Sequence, residues 1–549
     1  MRQIILVAGI AFSAVTNVFY SQIINSEIEV SNITTDGLTI SWDNAQNAAS
    51  YLKYGYTRNL EQGQLNGGTT LSPEFQISGA GDARLIYVQA IADNGSVTDE
   101  GDTLVFITAS ESSGEIRTYF TKSVNTSYAN SVSNEAIQLN NLIDDTLIAY
   151  INRVEESLDI AIYNLSSASG ISNIAGAINA AYSRGVRVRI IYNEDTGNTG
   201  IAQLNSSIPT LESPVPQWPD GHGIMHNKFV IFDAESADPN KPILWTGSTN
   251  FTSQQINTDA NNVIIVQDQA LARTYQLEFE EMWGGSGANP TISASRFGPD
   301  KKDNTPHVLS IAGKRVESYF SPSDQVNQRI IQAVNDAQGD LCINTMLITR
   351  DDIANAIVYR KAMGLDIRVL VNSQGETTVW DQLESSLGVR LANYSTVTGV
   401  LHHKLLIAGA VSNMNPFVLT GSHNWSTSAE SRNDENTLIV FDEDVVNRYY
   451  QEFMGRFGPI ASTDELTVED DNIRIFPNPS QGNVFIVNEG NTAITSVSVY
   501  TPSGKKVYEE KPSPESELHE LRLADLAGGI YFVEIKSGSH LKTVKIVLE

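Results

Sequence analysis

Two stretches of this chain carry the same set of chemically capable residues. The first runs His226-Asn227-Lys228 and reaches Gly247-Ser248-Thr249-Asn250; the second runs His402-His403-Lys404 and reaches Gly421-Ser422-His423-Asn424. Imidazole changes protonation near neutrality, which suits it to attack or to proton transfer. Ammonium and amide groups beside it suit the holding of an anion. In each triplet the histidine and lysine stand two residues apart ahead of an apolar run, so a strand there points both to one side. Each Gly-Ser-x-Asn follows another apolar run, and strand ends are where α/β folds place ligands. With 8 His and 36 Lys plus Arg in 549 residues, chance supplies about half of one His-x-basic triplet. Two matched sets are not an accident of composition, and packing alone explains neither the lysines nor the asparagines.

The elements that must position these residues are themselves duplicated. From about residue 116, short apolar strands alternate with helical stretches, which predicts an α/β architecture. Arg117-Thr118-Tyr119-Phe120 returns as Glu317-Ser318-Tyr319-Phe320. The run from Arg184 to Asn193 returns from Met363 to Asn372, and the run from Tyr275 to Gly284 returns from Tyr449 to Gly458. One α/β unit therefore occurs twice, at residues 115–295 and 305–460, joined by a polar Gly/Pro/Lys linker near 298–306.

These motifs resemble the phospholipase D superfamily, whose signature is His-x-Lys-x4-Asp followed by a Gly-Ser-x-Asn-type sequence. The resemblance covers residues 116–458 and implies that the two halves face each other around one active site. The catalytic set it implies is His226, Lys228, Asp233, His402 and Lys404. A phosphodiester needs a nucleophile, a proton for the leaving alkoxide and positive charge around the non-bridging oxygens. One histidine would attack phosphorus to give a phosphohistidine. The other would protonate the leaving oxygen and then activate water. Lys228, Lys404, Asn250 and Asn424 would cradle the phosphoryl oxygens, with Ser248 and Ser422 in support. Family habit makes His226 the nucleophile and His402 the acid/base, an order that the residues alone leave open. No metal or other cofactor is implied.

Two departures stand out. Gly409 occupies the place that Asp233 fills in the first motif, which puts the second half in question. Glu435 stands where family members often carry an acid that hydrogen-bonds a histidine, and Asn261 is its first-half equivalent. His222, His403 and His423 break the repeat symmetry and are read as rim or core residues.

The flanks suggest a multidomain chain in which two small all-β sandwich domains flank the duplicated α/β core. Residues 1–22 follow signal-peptide grammar, with Arg2 ahead of a short apolar stretch. Residues 23–110 have period-two strands, and Trp42, Tyr51 and Tyr54 resemble a fibronectin type III sandwich, with Arg84 in place of its corner tyrosine. Residues 472–549 contain Pro477-Asn478-Pro479, Ser503-Gly504-Lys505 and Gly528-Gly529-Ile530-Tyr531. They resemble the C-terminal sorting domain of type IX secretion substrates. That resemblance implies handling by the type IX secretion machinery and a secreted or cell-surface location. The lone Cys342 excludes an internal disulfide and reads as a buried strand residue.

With 64 Asp plus Glu against 36 Lys plus Arg, the net charge is −28. Such a surface repels a phosphate backbone. The first functional expectation is thus a secreted phospholipase D acting on phospholipid at a membrane surface, as a monomer with a pseudo-twofold core. The second is an extracellular nuclease, with Arg184, Arg187 and Arg189 as a local patch for nucleic acid. The third is an inactive adhesion or binding protein.

Overall fold

The computed structural model describes residues 23–195, 197–217, 221–394, 397–465, 473–476, 480–488, 493–501, 505–512, 518–537 and 540–548. The expected signal segment and Pro477-Asn478-Pro479 lie outside the described residues, as does Ser503-Gly504. Two compact units are present, one ending at Ala461 and one beginning at Ser462.

The first unit opens with β1 (Glu29–Ser31), β2 (Leu38–Ser41), β3 (Ala48–Gly55), β4 (Gly63–Thr70), β5 (Glu74–Ile77), β6 (Leu85–Asp93) and β7 (Thr98–Ile107). They form two sheets, ordered β1-β2-β5 and β4-β3-β6-β7. Alternate residues of both sheets, among them Leu38, Ile40, Leu52 and Val88, fill the space between them. Trp42 stacks on Phe75 at 5.1 Å there and donates its indole N–H to Asn44 Oδ1 at 3.0 Å.

The first α/β half contains β8 (Ile116–Phe120), β9 (Ile137–Gln138), α1 (Ile143–Ile151), β10 (Ser157–Ile162), α2 (Ile174–Ser183), β11 (Arg187–Tyr192) and β12 (Thr210–Glu212). It continues through β13 (Lys228–Phe232), β14 (Ile243–Gly247), α3 (Ser253–Asn257), β15 (Asn262–Val266) and α4 (Gln269–Trp283). The second half contains β16 (Val308–Ile311), β17 (Lys314–Ser321), α5 (Val326–Asp336), β18 (Asp340–Thr345), α6 (Asp351–Ala362), β19 (Asp366–Val371) and α7 (Thr377–Leu387). After these come β20 (Leu391–Asn393), β21 (Lys404–Ala408), β22 (Phe417–Gly421), α8 (Thr427–Ser431), β23 (Glu435–Val440) and α9 (Glu443–Glu465).

The sheet orders are β12-β11-β10-β13-β14-β15-β8-β9 and β20-β19-β18-β21-β22-β23-β17-β16. They match strand for strand. The final strand differs in sense, since β9 runs parallel to β8 whereas β16 runs antiparallel to β17.

The central strands are buried on both faces, which explains their continuous apolar runs. Along β13, Phe229 and Ile231 enter a central core while Val230 and Phe232 enter the outer core under α1 and α2. Along β21, Leu405 and Ile407 enter the same central core, and Leu406 and Ala408 pack under α5, α6 and α7. The central layer is completed by α4, through Leu271, Tyr275, Phe279 and Met282, and by α9, through Val446, Tyr449, Tyr450 and Phe453. These spacings put each set on one helix face. The two halves thus share one core between their sheets.

The arginines proposed as a nucleic-acid patch are already committed. Arg189 is fully buried, and its guanidinium donates to both oxygens of Asp159 at 2.7 and 2.8 Å. Arg187 also reaches Asp159, at 3.2 Å, and Arg184 donates to the Ile151 and Val154 carbonyls. Arg189 belongs to the core, where a buried guanidinium requires a carboxylate partner beside it; Arg187 is half-buried and Arg184 exposed, so no patch of three is open to nucleic acid. Cys342 is buried in β18, with its thiol pushed up to about 12 by burial.

The second unit holds β24 (Ile473–Phe476), β25 (Asn483–Asn488), β26 (Ile494–Tyr500), β27 (Lys506–Glu510), β28 (Leu518–Arg522), β29 (Gly529–Ser537) and β30 (His540–Leu548). Sheets β24-β25-β28 and β27-β26-β29-β30 enclose Val484, Ile486, Val497, Val533 and Ile546.

Phe279 stands fully buried on α4 in the layer that both halves share. Replacing it with alanine is expected to lower the unfolding free energy by about 3–5 kcal/mol, read from the shift in denaturant midpoint.

Candidate active site

Each histidine of the paired motifs sits just ahead of its strand, because β13 and β21 begin at the lysines. The backbone there is held by the opposite half. His226 donates its main-chain N–H to the Asp434 carbonyl at 2.9 Å, and His402 donates its own to the Ala260 carbonyl at 2.9 Å. The residue before each histidine is fixed within its own half: Met225 N–H donates to Asn193 Oδ1 at 2.9 Å, and Leu401 N–H to Asn372 Oδ1 at 2.8 Å. These asparagines end the matched strands β11 and β19. Their recurrence in the sequence was the signal of a shared role.

The rings are also oriented across the halves, but by different groups. His226 Nδ1 lies 2.7 Å from Glu435 Oε2. His402 Nδ1 lies 3.0 Å from both the Ser248 carbonyl and Asn261 Oδ1. A carboxylate or a carbonyl can only accept, so each Nδ1 carries the proton and each Nε2 keeps its lone pair. Ser248 and Ser422 act behind the rings. Ser248 Oγ donates to Asn261 Oδ1 at 2.8 Å, and Ser422 Oγ accepts the Asn436 N–H at 3.0 Å and bonds Glu435. These serines therefore support the orienting groups, one shell away from the place expected for them against phosphate.

Lys228 and Lys404 are buried, and each donates Nζ–H to the carbonyl of its own histidine at 2.8 Å. Burial lowers both ammonium groups, Lys404 to about 7, while Glu435 opposes the shift. Burial and the two lysines likewise hold both imidazoles well below their ordinary range, and hence neutral. Glu435 is raised by burial, with Lys228 pulling it back. Asn250 and Asn424 are close by in sequence, and each leaves a buried side-chain oxygen without a partner. An amide oxygen is an acceptor, so an anion there would be held by the N–H groups of these side chains.

Asp233 stands apart from this group. It follows β13 at the end remote from His226, and its carboxylate accepts the N–H groups of Glu155, Glu156 and Ser157 at 3.1, 2.7 and 2.9 Å. It anchors the start of β10 and takes no place beside the histidines. Its φ of +51° is costly for a residue with a Cβ. The three amide bonds offset that cost. Gly409 occupies the same left-handed position, with φ +65°, and there the carboxylate comes from the other strand. Asp340 opens β18 and accepts the Val411 and Ser412 N–H groups at 3.2 and 2.7 Å. The second half has kept the contact and moved the acid.

His222, His403 and His423 are core or rim residues, as expected. His403 is bound on both ring nitrogens, at 3.0 Å to Asn262 and 3.0 Å to Glu452. His423 Nδ1 bonds Ser321 Oγ at 2.7 Å, and His222 Nδ1 donates to the Phe297 carbonyl at 3.0 Å. Asn262 and Asn436, unnoticed in the sequence, tie the sheets together. Asn262 Oδ1 accepts from Thr420 and Tyr449 at 2.9 and 3.1 Å, and Asn436 donates to Thr246 and Tyr275 at 2.8 and 3.3 Å. The two are repeat equivalents, Asn262 following Asn261 and Asn436 following Glu435. Only their partners across the interface reveal the role.

Tyr163 was also missed, because its counterpart Met346 hides it from the repeat. Its ring meets His226 edge-on at 4.9 Å, and Lys228 Nζ stands 5.2 Å from its centre.

Known proteins resemble this chain in sequence. Residues 147–283 and 330–456 match the family described as "Cardiolipin synthase, PLD-like domain". A phospholipase D from Rickettsia conorii is 33% identical over 151 residues, 27% of this chain and 73% of that protein. The chain belongs to the phospholipase D superfamily. A mitochondrial cardiolipin hydrolase from Xenopus tropicalis is 32% identical over 139 residues, 25% of this chain. The match spans 59% of that hydrolase's length. The crystal structure of NUC from Salmonella typhimurium aligns over 26% of this chain and 95% of that one, at 22% identity and a TM-score of 0.23. Residues 474–549 match a secretion-system C-terminal sorting domain, so the chain is exported through the type IX secretion system to the cell surface or beyond. Among the described residues, no helix is long and apolar enough to cross a membrane.

Asp233→Ala and Asp340→Ala remove carboxylates that accept buried amides. Each is expected to lower the unfolding free energy by about 1–3 kcal/mol in chemical denaturation.

Proposed function

We propose that this protein is an exported phospholipase D-type phosphodiesterase that hydrolyses the head-group ester of a phospholipid through a phosphohistidine. The observation that carries this reading is the pair of rings with protonated, anchored Nδ1 and free Nε2, each followed by a buried lysine. His226 is the better nucleophile. A carboxylate on Nδ1–H pushes electron density to Nε2, whereas His402 has neutral acceptors.

In the first step His226 Nε2 attacks phosphorus, the bond to the head-group oxygen breaks, and the protonated Nε2 of His402 gives that oxygen its proton. In the second, His402 takes a proton from water, the hydroxide attacks phosphorus, and the bond to His226 breaks. Lys228, Lys404, Asn250 and Asn424 hold the non-bridging oxygens throughout. The entering phosphate charge favours the protonated form that His402 must reach before it acts as an acid. Upstream, residues 1–22 act as the signal segment and the first β unit as a fibronectin type III-like spacer.

Lipid is favoured over nucleic acid by the loops at the site's end of the sheets. They include residues 163–172, 193–199 and 213–225 in one half, and 346–350, 372–376 and 394–401 in the other. Among the described residues of these six stretches Arg350 alone is a lysine or arginine, and Asp352 pairs with it at 2.5 Å; Lys122 and Arg432, at the same end, donate to the Asn257 and Gly221 carbonyls. Glu194, Asp195 and Glu376 are exposed there. A nucleic-acid strand needs cations along its backbone on either side of the scissile phosphate. The curated relatives named as a phospholipase D and as cardiolipin hydrolases point the same way.

Product analysis on mixed phospholipid vesicles, single-stranded DNA and duplex DNA at physiological salt decides the substrate. Head-group release with intact DNA is the expected result; cut DNA with no head-group release would overturn the lipid reading. His226→Asn and His402→Asn should each leave less than roughly a few per cent of turnover.

Anion binding should also be linked to protons. Below about pH 7 Lys404 is already charged; above it, the lysine must gain a proton as the anion binds. Affinity for tungstate, a tetrahedral dianion, is therefore expected to fall by up to about tenfold per pH unit above neutrality. Calorimetry in two buffers of different protonation enthalpy would show the matching proton uptake.

A further inference from the structure

The two half-sites share a backbone but not their walls. Tyr163 and Met346 occupy equivalent places, since Tyr163 N–H donates to the Asn227 carbonyl and Met346 N–H to the His403 carbonyl, both at 2.9 Å. On the His226 side the residue is an aromatic ring packed on the imidazole; its equivalent in the other half is a methionine. The ring is held at two points. Its main chain is fixed to the residue between His226 and Lys228, and its phenol hydrogen-bonds Asp195 on the loop after β11.

So placed, Tyr163 meets two members of the site at once. Its ring packs edge-on against the His226 imidazole, at 67° between planes and 4.9 Å between centres. Lys228 Nζ lies 5.2 Å from the ring centre, within cation–π range. Among the described residues Lys404 has no such ring, although its burial is the same.

We propose that Tyr163 is the positioning residue that makes the first half the nucleophilic one, by fixing the His226 ring and keeping the Lys228 ammonium charged beside it. This rests on the assignment of His226 as nucleophile made above. The physical case has two parts. A ring with Nδ1 anchored to Glu435 can still swing about that bond, and an aromatic edge limits the swing so that Nε2 stays aimed. A buried ammonium is stabilised by few partners. The charged and titratable groups around Lys228 are Glu435 from β23, Lys404 from β21, and His226 and His402 ahead of the strands. Of these only Glu435 favours the charge, so the ring's electron-rich face is a second favourable neighbour. A methionine there, as in the other half, provides neither the flat wall nor the quadrupole.

The test compares Tyr163→Met, which installs the other half's residue, with Tyr163→Phe, which keeps the ring and loses the Asp195 contact. Turnover of bis(p-nitrophenyl) phosphate is followed across pH. Tyr163→Met should lower kcat by at least about tenfold while KM changes less than about threefold. Its alkaline limb should move down by about one pH unit, as Lys228 loses its proton more readily. Tyr163→Phe should stay within about threefold of the parent, with the limb in place. Equal impairment of both variants, or a fall in melting temperature with an unmoved limb, would overturn the proposal. If the parent turns over no phosphodiester, the functional reading fails separately, and tungstate affinity judges the ring instead. Tyr163→Met should then bind tungstate about tenfold more weakly than Tyr163→Phe, and equal affinities overturn the proposal.

Discussion

Neither half of this protein anchors the main-chain N–H and the ring nitrogen of its own histidine. The main-chain N–H of His226 is bonded to Asp434 and its ring to Glu435; the main-chain N–H of His402 is bonded to Ala260 and its ring to Asn261. Every one of these partners comes from the opposite half. The site therefore exists only when the sheets are docked, and the docking is enforced by the central core and by the Asn262 and Asn436 bonds through it. Burying polar groups at that depth is costly unless they are paired, and the ring nitrogens and main-chain amides that hold the two histidines are.

The same pseudo-twofold arrangement carries a built-in inequality. In the first half Asp259 Oδ1 accepts the Val400 N–H and Asn261 holds a ring; in the second Asn433 Oδ1 accepts the Ile224 N–H and Glu435 holds a ring. Acid and amide have exchanged places between equivalent positions. The first half keeps one carboxylate in this stretch, Asp259, and the second has two, Asp434 and Glu435, but only His226 receives one directly. Tyr163 and Met346 add a second difference on the same side. A symmetric site would give two interchangeable imidazoles, whereas displacement in two steps needs one to attack and one to move protons.

Asp233 and Asp340 show that a contact can be retained while the residue supplying it moves. Both carboxylates tie the start of the strand pair to neighbouring main-chain amides, one from the β13 side and one from the β18 side. Moving the acid freed the left-handed position for Gly409, which adopts that backbone without the steric cost borne by Asp233. The loss of the signature Asp, read along one strand, looks like a defect. Across the strand pair it is an exchange.

The residues in the sequence were enough to establish the duplicated α/β core, the pairing of the two motifs and the histidines, lysines and asparagines at the centre. Their information is local: residue type, spacing along a strand, and repetition. Asn193 and Asn372 were visible in the same way, as matched ends of a repeated strand. What the sequence did not contain was any relation across the interface. It placed Glu435 near a histidine but not on His226, treated Asp233 as part of the chemistry, and counted the core-bound Arg189 in a surface patch. Strand neighbours, ring contacts and burial are set by which faces meet when the sheets dock, and residues more than two hundred positions apart then touch at 2.7 Å. Composition and spacing determined which groups are available to the site. Only the packing of one half against the other decided which group each histidine receives.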